Sequence, residues 1–242
     1  MKFEYPDPKD ILEYLYNFYG YGNIKSDIWF IGLEPATDDD TLFNDIISKW
    51  IEKNKKTINS IEEIYENEVS KIQPTWAGLI TLYLSYKSSD ETVSVKKEDI
   101  LAMQEKWCKT DSDHCLIEMF PLPCRNMDDW RYKEIAENHS ELFFLKSKCS
   151  YQSHIKEIRF KRIFNLIKEY GPKIIVIYTK TMGIDLYKLI TGNKPVFHSD
   201  NYCLFDNTYK KVVICLHPTL KNFKDFTEKD QYFSEIGKKL RC

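Results

Sequence analysis

The chain has 242 residues, of which 43% are hydrophobic and 14% aromatic, so it is long enough for one domain with a well-filled core. Its formal net charge of −2 neither favours nor excludes nucleic acid as a partner. No apolar run approaches the roughly 20 residues that span a bilayer, and the opening MKFEYPDPKD lacks the apolar stretch of a signal peptide. We therefore expect a single cytosolic domain over residues 1–242, without membrane association.

Four short runs of the sequence are continuously apolar and predict strands. In chain order they are DIWFIGL (27–33), HCLIEMF (114–120), KIIVIYT (173–179) and KVVICLH (211–217). A strand that is covered on both faces has this pattern, as in a parallel sheet. Segments with helical periodicity lie between the runs, the clearest being 154–173, which ends at Gly171-Pro172. The alternation predicts a layered α/β domain with a parallel sheet.

The charged stretch 37–73 lies between the first two predicted strands. We interpret it either as a helical insertion or lid, or as a pair of solvated helices. Its aspartates 38–40 can hold a cation, but an acidic helix start is the simpler interpretation because carboxylates suit a helix amino terminus.

Several sequence patterns that would indicate a nucleotide or metal cofactor, or a serine hydrolase, are missing. The chain contains no GxxxxGK loop, no GxGxxG turn after the first strand, no GxSxG elbow and no HxxxH set. The seven cysteines include no CxxC pair, so reduced structural thiols are a simpler interpretation than a cluster on Cys108, Cys115, Cys124 and Cys149. We expect neither a metal nor another cofactor.

Polar residues follow or end the predicted strands. Glu34 and Pro35 come after the first strand, Glu118 lies in the second, and His217 ends the fourth. Because the carboxyl ends of parallel strands meet at one edge, these side chains are expected to gather there and form a site. A carboxylate can orient or deprotonate water, and a histidine can donate to a developing anion. Alternatively each is an ordinary loop residue, with Glu118 bonded to nearby backbone N–H groups.

Three short motifs resemble those of the uracil-DNA glycosylase superfamily: GLEPA (32–36), LIEMFPLP (116–123) and HPTL (217–220). The resemblance implies a three-layer α/β/α sandwich around a four-stranded parallel sheet. It gives Glu34 the place of the residue that positions the attacking water. It gives His217 the place of the histidine that hydrogen-bonds the base oxygen. Leu220 stands where the family has an apolar residue that enters the duplex.

The resemblance also assigns base recognition to Glu118, which stands where the family has a base-reading asparagine. An ionised carboxylate only accepts hydrogen bonds, so the substitution predicts a base that presents amino or imino hydrogens. Glycosylases extrude the base and hold it by stacking, and Phe120, directly after the second strand, is the candidate for that contact.

Cations near the motifs are candidates for phosphate contacts. Lys221 and Lys224 follow the last motif, Arg125 follows the second, and the segment 144–173 is rich in lysine and arginine. A solvated basic helix face explains the segment 144–173 equally well. The expected partner is DNA, single- or double-stranded.

Two functional hypotheses therefore remain open at the level of the sequence. One is a glycosylase-like hydrolase that cleaves the N-glycosidic bond of a damaged or modified base. The other is a nucleotide- or nucleic-acid-binding module on a glycosylase-like fold that does not cleave.

Overall fold

The computed structural model describes residues 6–35, 42–63, 71–90, 94–124, 130–197 and 202–241. The helices are α1 (Pro8–Asn17), α2 (Leu42–Glu52), α3 (Pro74–Lys87), α4 (Lys97–Gln104), α5 (Lys133–Asn138), α6 (Lys148–Tyr170), α7 (Gly183–Thr191) and α8 (Phe226–Arg241). The strands are β1 (Gly20–Gly22), β2 (Ile28–Gly32), β3 (Ile58–Asn59), β4 (His114–Glu118), β5 (Ile174–Ile177), β6 (Cys203–Asp206) and β7 (Lys211–Ile214). None of the helices in these ranges is long and apolar enough to cross a membrane.

The described residues form one mixed sheet of seven strands in the order β3-β1-β4-β2-β5-β7-β6. The four predicted strands are its centre, β4-β2-β5-β7, and they run parallel to one another. The α/β class is therefore confirmed, but the predicted sheet of four strands is too narrow. β1 and β6 pair antiparallel to β4 and β7, and β3 pairs with β1. β1 and β3 are two or three residues long and lack a continuous apolar run, so the sequence pattern does not predict them. β6 contains the short apolar run Cys203–Phe205, which was not among the four predicted strands.

Helical segments cover both faces of the sheet. Trp29 and Phe30 are neighbours in β2, so their side chains point to opposite faces. The ring of Trp29 lies 6.4 Å from that of Tyr170 at the end of α6, measured between centroids. The ring of Phe30 lies 5.3 Å from that of Trp107, which follows α4. Both faces are dry, which explains why the central strands are apolar throughout.

The described part of the stretch 37–73 packs into the core instead of forming a solvated pair. Ile46, Ile47 and Trp50 of α2 are buried, α2 contacts α1, and β3 extends the sheet beside β1. Residues 37–41, including the aspartates 38–40, and residues 64–70 lie outside the described ranges.

A buried arginine joins α6, α1 and the end of β4. Arg159 of α6 has no exposed surface, and it donates hydrogen bonds to the backbone carbonyl groups of Met119 (2.6 Å), Leu15 (2.7 Å), Phe18 (2.8 Å) and Glu118 (2.7 Å). Arg159 is one of the cations of the 144–173 segment, so the structure removes it from the set available for phosphate. Its role here is to hold the backbone at the carboxyl end of β4.

At the opposite, amino end of β4, a buried histidine is held in its neutral form. The His114 ring stacks on Trp107 at 4.1 Å between centroids, and its Nε2 accepts a 2.9 Å hydrogen bond from the backbone N–H of Cys108. Burial lowers the pKa of His114 to about 4, although Asp113 beside it acts in the opposite direction. An acceptor at Nε2 places the proton of the neutral ring on Nδ1.

We expect His114 to make the protein sensitive to acid. The unfolded chain takes up a proton on this ring near pH 6.5, whereas the folded chain does so only near pH 4. Stability should therefore fall as the pH drops through this window, by about 3 kcal/mol in total. Urea denaturation at pH 7 and pH 4 measures the loss, and His114→Gln, which cannot titrate, should show a correspondingly smaller pH dependence. An identical dependence in both proteins would contradict the assignment.

Candidate active site

The predicted site residues lie at one edge of the sheet. β2 runs in register with both β4 and β5, and β5 runs in register with β7, so the carboxyl ends of all four strands coincide. Glu118 is the last residue of β4, Glu34 lies two residues past β2, and His217 lies three residues past β7. Tyr178, which the sequence argument did not single out, is the first residue past β5.

Glu34 is held by a lysine at the start of α6. Its side chain is 11% exposed, and its Oε1 lies 2.5 Å from Nζ of Lys148, which is equally buried. Its other oxygen, Oε2, is buried and has no hydrogen-bond partner within the described residues. Burial raises the pKa of Glu34, while Lys148 and the side chain of Gln152 act to lower it by hydrogen bonding. One oxygen of this carboxylate is thus fixed by a cation, and the other is buried without a hydrogen-bond partner among the described residues.

Glu118 is more deeply buried than Glu34, and within the described ranges no cation pairs with its carboxyl group. The side chain is 4% exposed, and Oε2 lacks a hydrogen-bond partner among the residues described. Burial and the negative charge of Glu34 raise the pKa of Glu118 to about 8, with Arg159 acting in the opposite direction. At pH 7 the group is mostly a neutral acid, with one O–H donor and a carbonyl acceptor. A neutral Glu118 can therefore donate a hydrogen bond as well as accept one, whereas the sequence-based expectation considered only the ionised group.

Tyr178 connects Glu118 to His217. The rings of Tyr178 and His217 are 5.7 Å apart between centroids and inclined by 50°. The pKa of Tyr178 is raised well above its ordinary value by burial and by the charge of Glu118, so its hydroxyl keeps its proton. Burial lowers the pKa of His217, which favours the neutral imidazole. The site therefore runs from Glu34 through Glu118 and Tyr178 to His217.

The loop that carries His217 is fixed from two sides. The carbonyl oxygen of His217 accepts hydrogen bonds from the backbone N–H of Thr219 and from Nδ2 of Asn222, each at 2.8 Å. Pro218 packs against α3 at Gly78, where a Cβ atom would lie 2.7 Å from the proline ring. A tight 3-10 turn, Leu220–Asn222, follows. Lys221 and Lys224 are exposed directly beyond the motif.

One of the predicted contacts, Phe120, is not placed at the site. Phe120 has no exposed surface and packs against Tyr151 and Phe160, with centroid distances of 5.9 and 6.3 Å. The backbone N–H of Phe120 still bonds to the carbonyl of Leu33, so the residue remains inside the sheet layer and its ring belongs to the core. The predicted stacking contact of Phe120 is therefore not available in this structure. Arg125 lies outside the described residues.

Comparison with known proteins adds no relative. No protein-family model matches this chain, and no curated protein matches it significantly.

The described residues offer no evident metal centre. No group of three or more histidine, cysteine, aspartate or glutamate side chains among them is placed to hold a metal ion. The six cysteines in the same ranges are free thiols, five of them buried and Cys149 exposed.

Sequence reasoning missed two members of this site. Tyr178 lies inside the third predicted strand, 173–179, whereas the observed strand β5 ends at Ile177 and leaves Tyr178 at the sheet edge. Lys148 was grouped with the cations expected to face phosphate, whereas the structure places it on Glu34, 114 residues away in the chain. No local pattern indicates that contact.

We expect Gly32 to be required by the position of Tyr178. A Cβ atom at Gly32 would lie 2.1 Å from the hydroxyl oxygen of Tyr178 and 2.4 Å from its Cζ. Gly32→Ala should therefore displace the tyrosine and destabilise the protein by about 1–3 kcal/mol, as overpacking typically does. Urea denaturation of Gly32→Ala, Tyr178→Ala and the double variant tests this. The alanine at position 32 should cost much less when Tyr178 is absent, and additive effects would contradict the proposed clash.

Proposed function

We propose that this protein is a glycosylase-like hydrolase that cleaves the N-glycosidic bond of a damaged or modified base in nucleic acid. The observation that carries the proposal is the pair of acids at the sheet edge. Glu34 is paired with Lys148, Glu118 is buried without an ion pair among the described residues, and His217, whose pKa is lowered, lies at the same sheet edge. Environments that separate the pKa values of two acids are typical of sites where the acids have different roles.

The architecture supports the same proposal. The resemblance to the uracil-DNA glycosylase superfamily implies a three-layer fold around four parallel strands, with GLEPA after the first strand and HPTL after the last. The central strands of this sheet are parallel, helical segments lie on both faces, and the two motifs follow β2 and β7 at the same edge. In the proposed family the three additional short strands are extensions at the sheet margins.

The proposed roles follow from the charges that develop during cleavage. Breaking an N-glycosidic bond builds positive charge on the sugar and negative charge on the base. Glu34 orients the attacking water through Oε2, the oxygen that Lys148 leaves unoccupied, and its charge stabilises the sugar cation. His217 donates a hydrogen bond to the base as negative charge develops there. A neutral histidine suits this role because it donates one N–H without requiring a buried positive charge.

A protonated Glu118 offers the same kinds of hydrogen-bonding group as the base-reading asparagine of the family. The family's asparagine offers one donor and one acceptor from its amide, and an ionised glutamate cannot reproduce that pair. The neutral acid offers both an O–H and a carbonyl oxygen from one group. Glu118 is thus compatible with bases that present a carbonyl beside an N–H, and not only with bases that present hydrogens.

Contacts to the nucleic-acid backbone are proposed for the exposed cations beside the site. Lys221 and Lys224 follow His217 closely in the chain and are solvent-exposed. Leu220 is the last residue of the HPTL motif and the first of the 3-10 turn. It has the place of the residue that fills the gap left by an extruded base. Charge reversal at both lysines should weaken binding and reduce its salt dependence, because fewer counterions are released.

The experiment that tests the proposal is a search for abasic sites. The protein is incubated with single- and double-stranded oligonucleotides that each carry one modified base, and products are revealed by alkaline cleavage. We expect strand breaks at one or more of these bases. Salt-dependent binding without any abasic product would instead support the alternative, a non-cleaving nucleic-acid-binding module. If the protein neither binds nor cleaves any of these oligonucleotides, both the hydrolase and the binding-module hypotheses are overturned.

A further inference from the structure

Among the described residues, the two acids at the site differ in their contact with cations. Lys148 lies against Glu34 and forms an ion pair with it. The charge of Arg159 acts to lower the pKa of Glu118. The hydrogen bonds of Arg159, however, go to backbone carbonyl groups, including the carbonyl of Glu118 itself. The carboxyl group of Glu118 therefore has a buried oxygen without a partner and no ion pair among the described residues.

A proton is what neutralises Glu118 in this environment. The charged group on the neighbouring strand end is Glu34, which is negative and repels a second negative charge. Arg159 on α6 partly offsets this effect. Two further titratable groups interact with Glu118, namely Tyr178 after β5 and the buried thiol of Cys108, and the pKa of each is raised, so neither supplies a charge near neutral pH. The site therefore contains one carboxylate and one carboxylic acid.

We propose that Glu118 is the catalytic acid of the proposed glycosylase reaction, transferring its proton to the departing base. This assignment rests on the proposed function. As the bond between C1′ and the base nitrogen breaks, its electron pair moves to the base, and the proton of Glu118 moves to a nitrogen or carbonyl oxygen of the base. Water held by Glu34 adds to C1′ and loses a proton to Glu34 or to solvent. Solvent then returns a proton to Glu118.

The assignment selects a class of substrate. A base that leaves as a neutral molecule does not need to be a stable anion, so an acid helps most where the base is a poor leaving group. His217 alone donates a hydrogen bond but transfers no proton. The combination of Glu118 and His217 therefore suits bases that can accept a proton as they depart, and purine bases, which have a basic ring nitrogen at N7, are one example.

The test compares the wild type with Glu118→Gln, which keeps the size, a donor and an acceptor but has no proton to transfer. The probes are oligonucleotides that carry the purine hypoxanthine or one of two pyrimidines, uracil and 5-fluorouracil. Of the two pyrimidines, 5-fluorouracil is the better leaving group. We expect the wild-type rate to fall as the pH rises through about 8, the pKa of Glu118. In Glu118→Gln the cleavage rate should fall by about 10²- to 10⁴-fold for the poorest leaving group that the wild type cleaves, and by less for better leaving groups. The decrease in rate at alkaline pH should disappear in this variant. His217→Ala, a matched control at the same site, should keep that fall.

Two outcomes separate this inference from the proposed function. Cleavage by the wild type that is equally fast in Glu118→Gln, with the same pH profile, would overturn the acid assignment alone. The infrared difference spectrum between the two proteins at pH 7 provides a readout without turnover, because a protonated Glu118 contributes a carboxylic-acid band and an ionised one does not. A carboxylate band there would also overturn the assignment. A carboxylic-acid band without cleavage of any modified oligonucleotide would overturn the proposed function, and the acid role with it.

Discussion

Glu34→Gln is expected to remove most turnover while leaving nucleic-acid binding nearly unchanged. In the proposed mechanism the carboxylate orients water and stabilises the sugar cation, and both interactions are strongest in the transition state. Glutamine keeps the shape of the side chain but has no negative charge and is a poor proton acceptor. We therefore expect a loss of about 10²- to 10⁴-fold in turnover, the usual scale for removing a group that acts on a transferring proton.

The measurement is single-turnover cleavage of whichever modified oligonucleotide the wild type processes, together with its dissociation constant. Glu169→Gln, an exposed position on the same helix that carries Lys148, is the matched control and should behave as the wild type. An effect confined to binding would mean that Glu34 contacts the substrate without acting on the chemistry. Full activity of Glu34→Gln would remove the basis for a hydrolytic role of this motif.

Glu118→Gln is expected to make the protein more stable at neutral and alkaline pH. The unfolded chain releases the proton of this acid near pH 4.5, whereas the folded chain keeps it until about pH 8. Between these values folding requires proton uptake, so the stability of the wild type falls as the pH rises. The total loss across the window is about 5 kcal/mol, from the difference between the two pKa values. Glutamine does not titrate and avoids this loss.

Urea denaturation of both proteins at pH 4.5 and pH 8 tests this expectation. The two should be similar at pH 4.5, and the variant should gain progressively towards pH 8. Glu141→Gln, an exposed glutamate outside the site, should show no such gain. Parallel pH dependences in wild type and Glu118→Gln would show that Glu118 is ionised in the folded protein at neutral pH, against the environment described for it.

A stabilising substitution at this position would also bear on function. Most residues at the end of a buried strand contribute to stability, and a glutamate there is costly because burial opposes its charge. Proteins commonly retain such costly groups where activity requires them. A variant that is more stable and less active would connect the cost of Glu118 to its chemistry.

The sequence by itself determined the centre of the sheet and three members of the candidate site. Continuous apolar runs identified β2, β4, β5 and β7 because strands that are covered on both faces have no polar side to show. Once these strands were predicted to be parallel, Glu34, Glu118 and His217 had to lie at one edge, since the carboxyl ends of parallel strands coincide. Both steps use information local to each strand, together with a general rule of sheet geometry.

Only the tertiary structure decided the outer strands and the chemical state of the site. The strands β1 and β3 are only two or three residues long, too short to show a pattern of their own, and β6 is identified by its pairing with β7. From the sequence, Arg159 belongs to a basic segment that could face phosphate. In the fold it is buried, and its hydrogen bonds go to backbone carbonyl groups instead of to water. The protonation of Glu118 depends on its distance from Glu34 and on the depth of its burial, and the pairing of Lys148 with Glu34 joins residues 114 positions apart. Desolvation and charge are properties of three-dimensional neighbours, and the order of residues along the chain does not specify those neighbours.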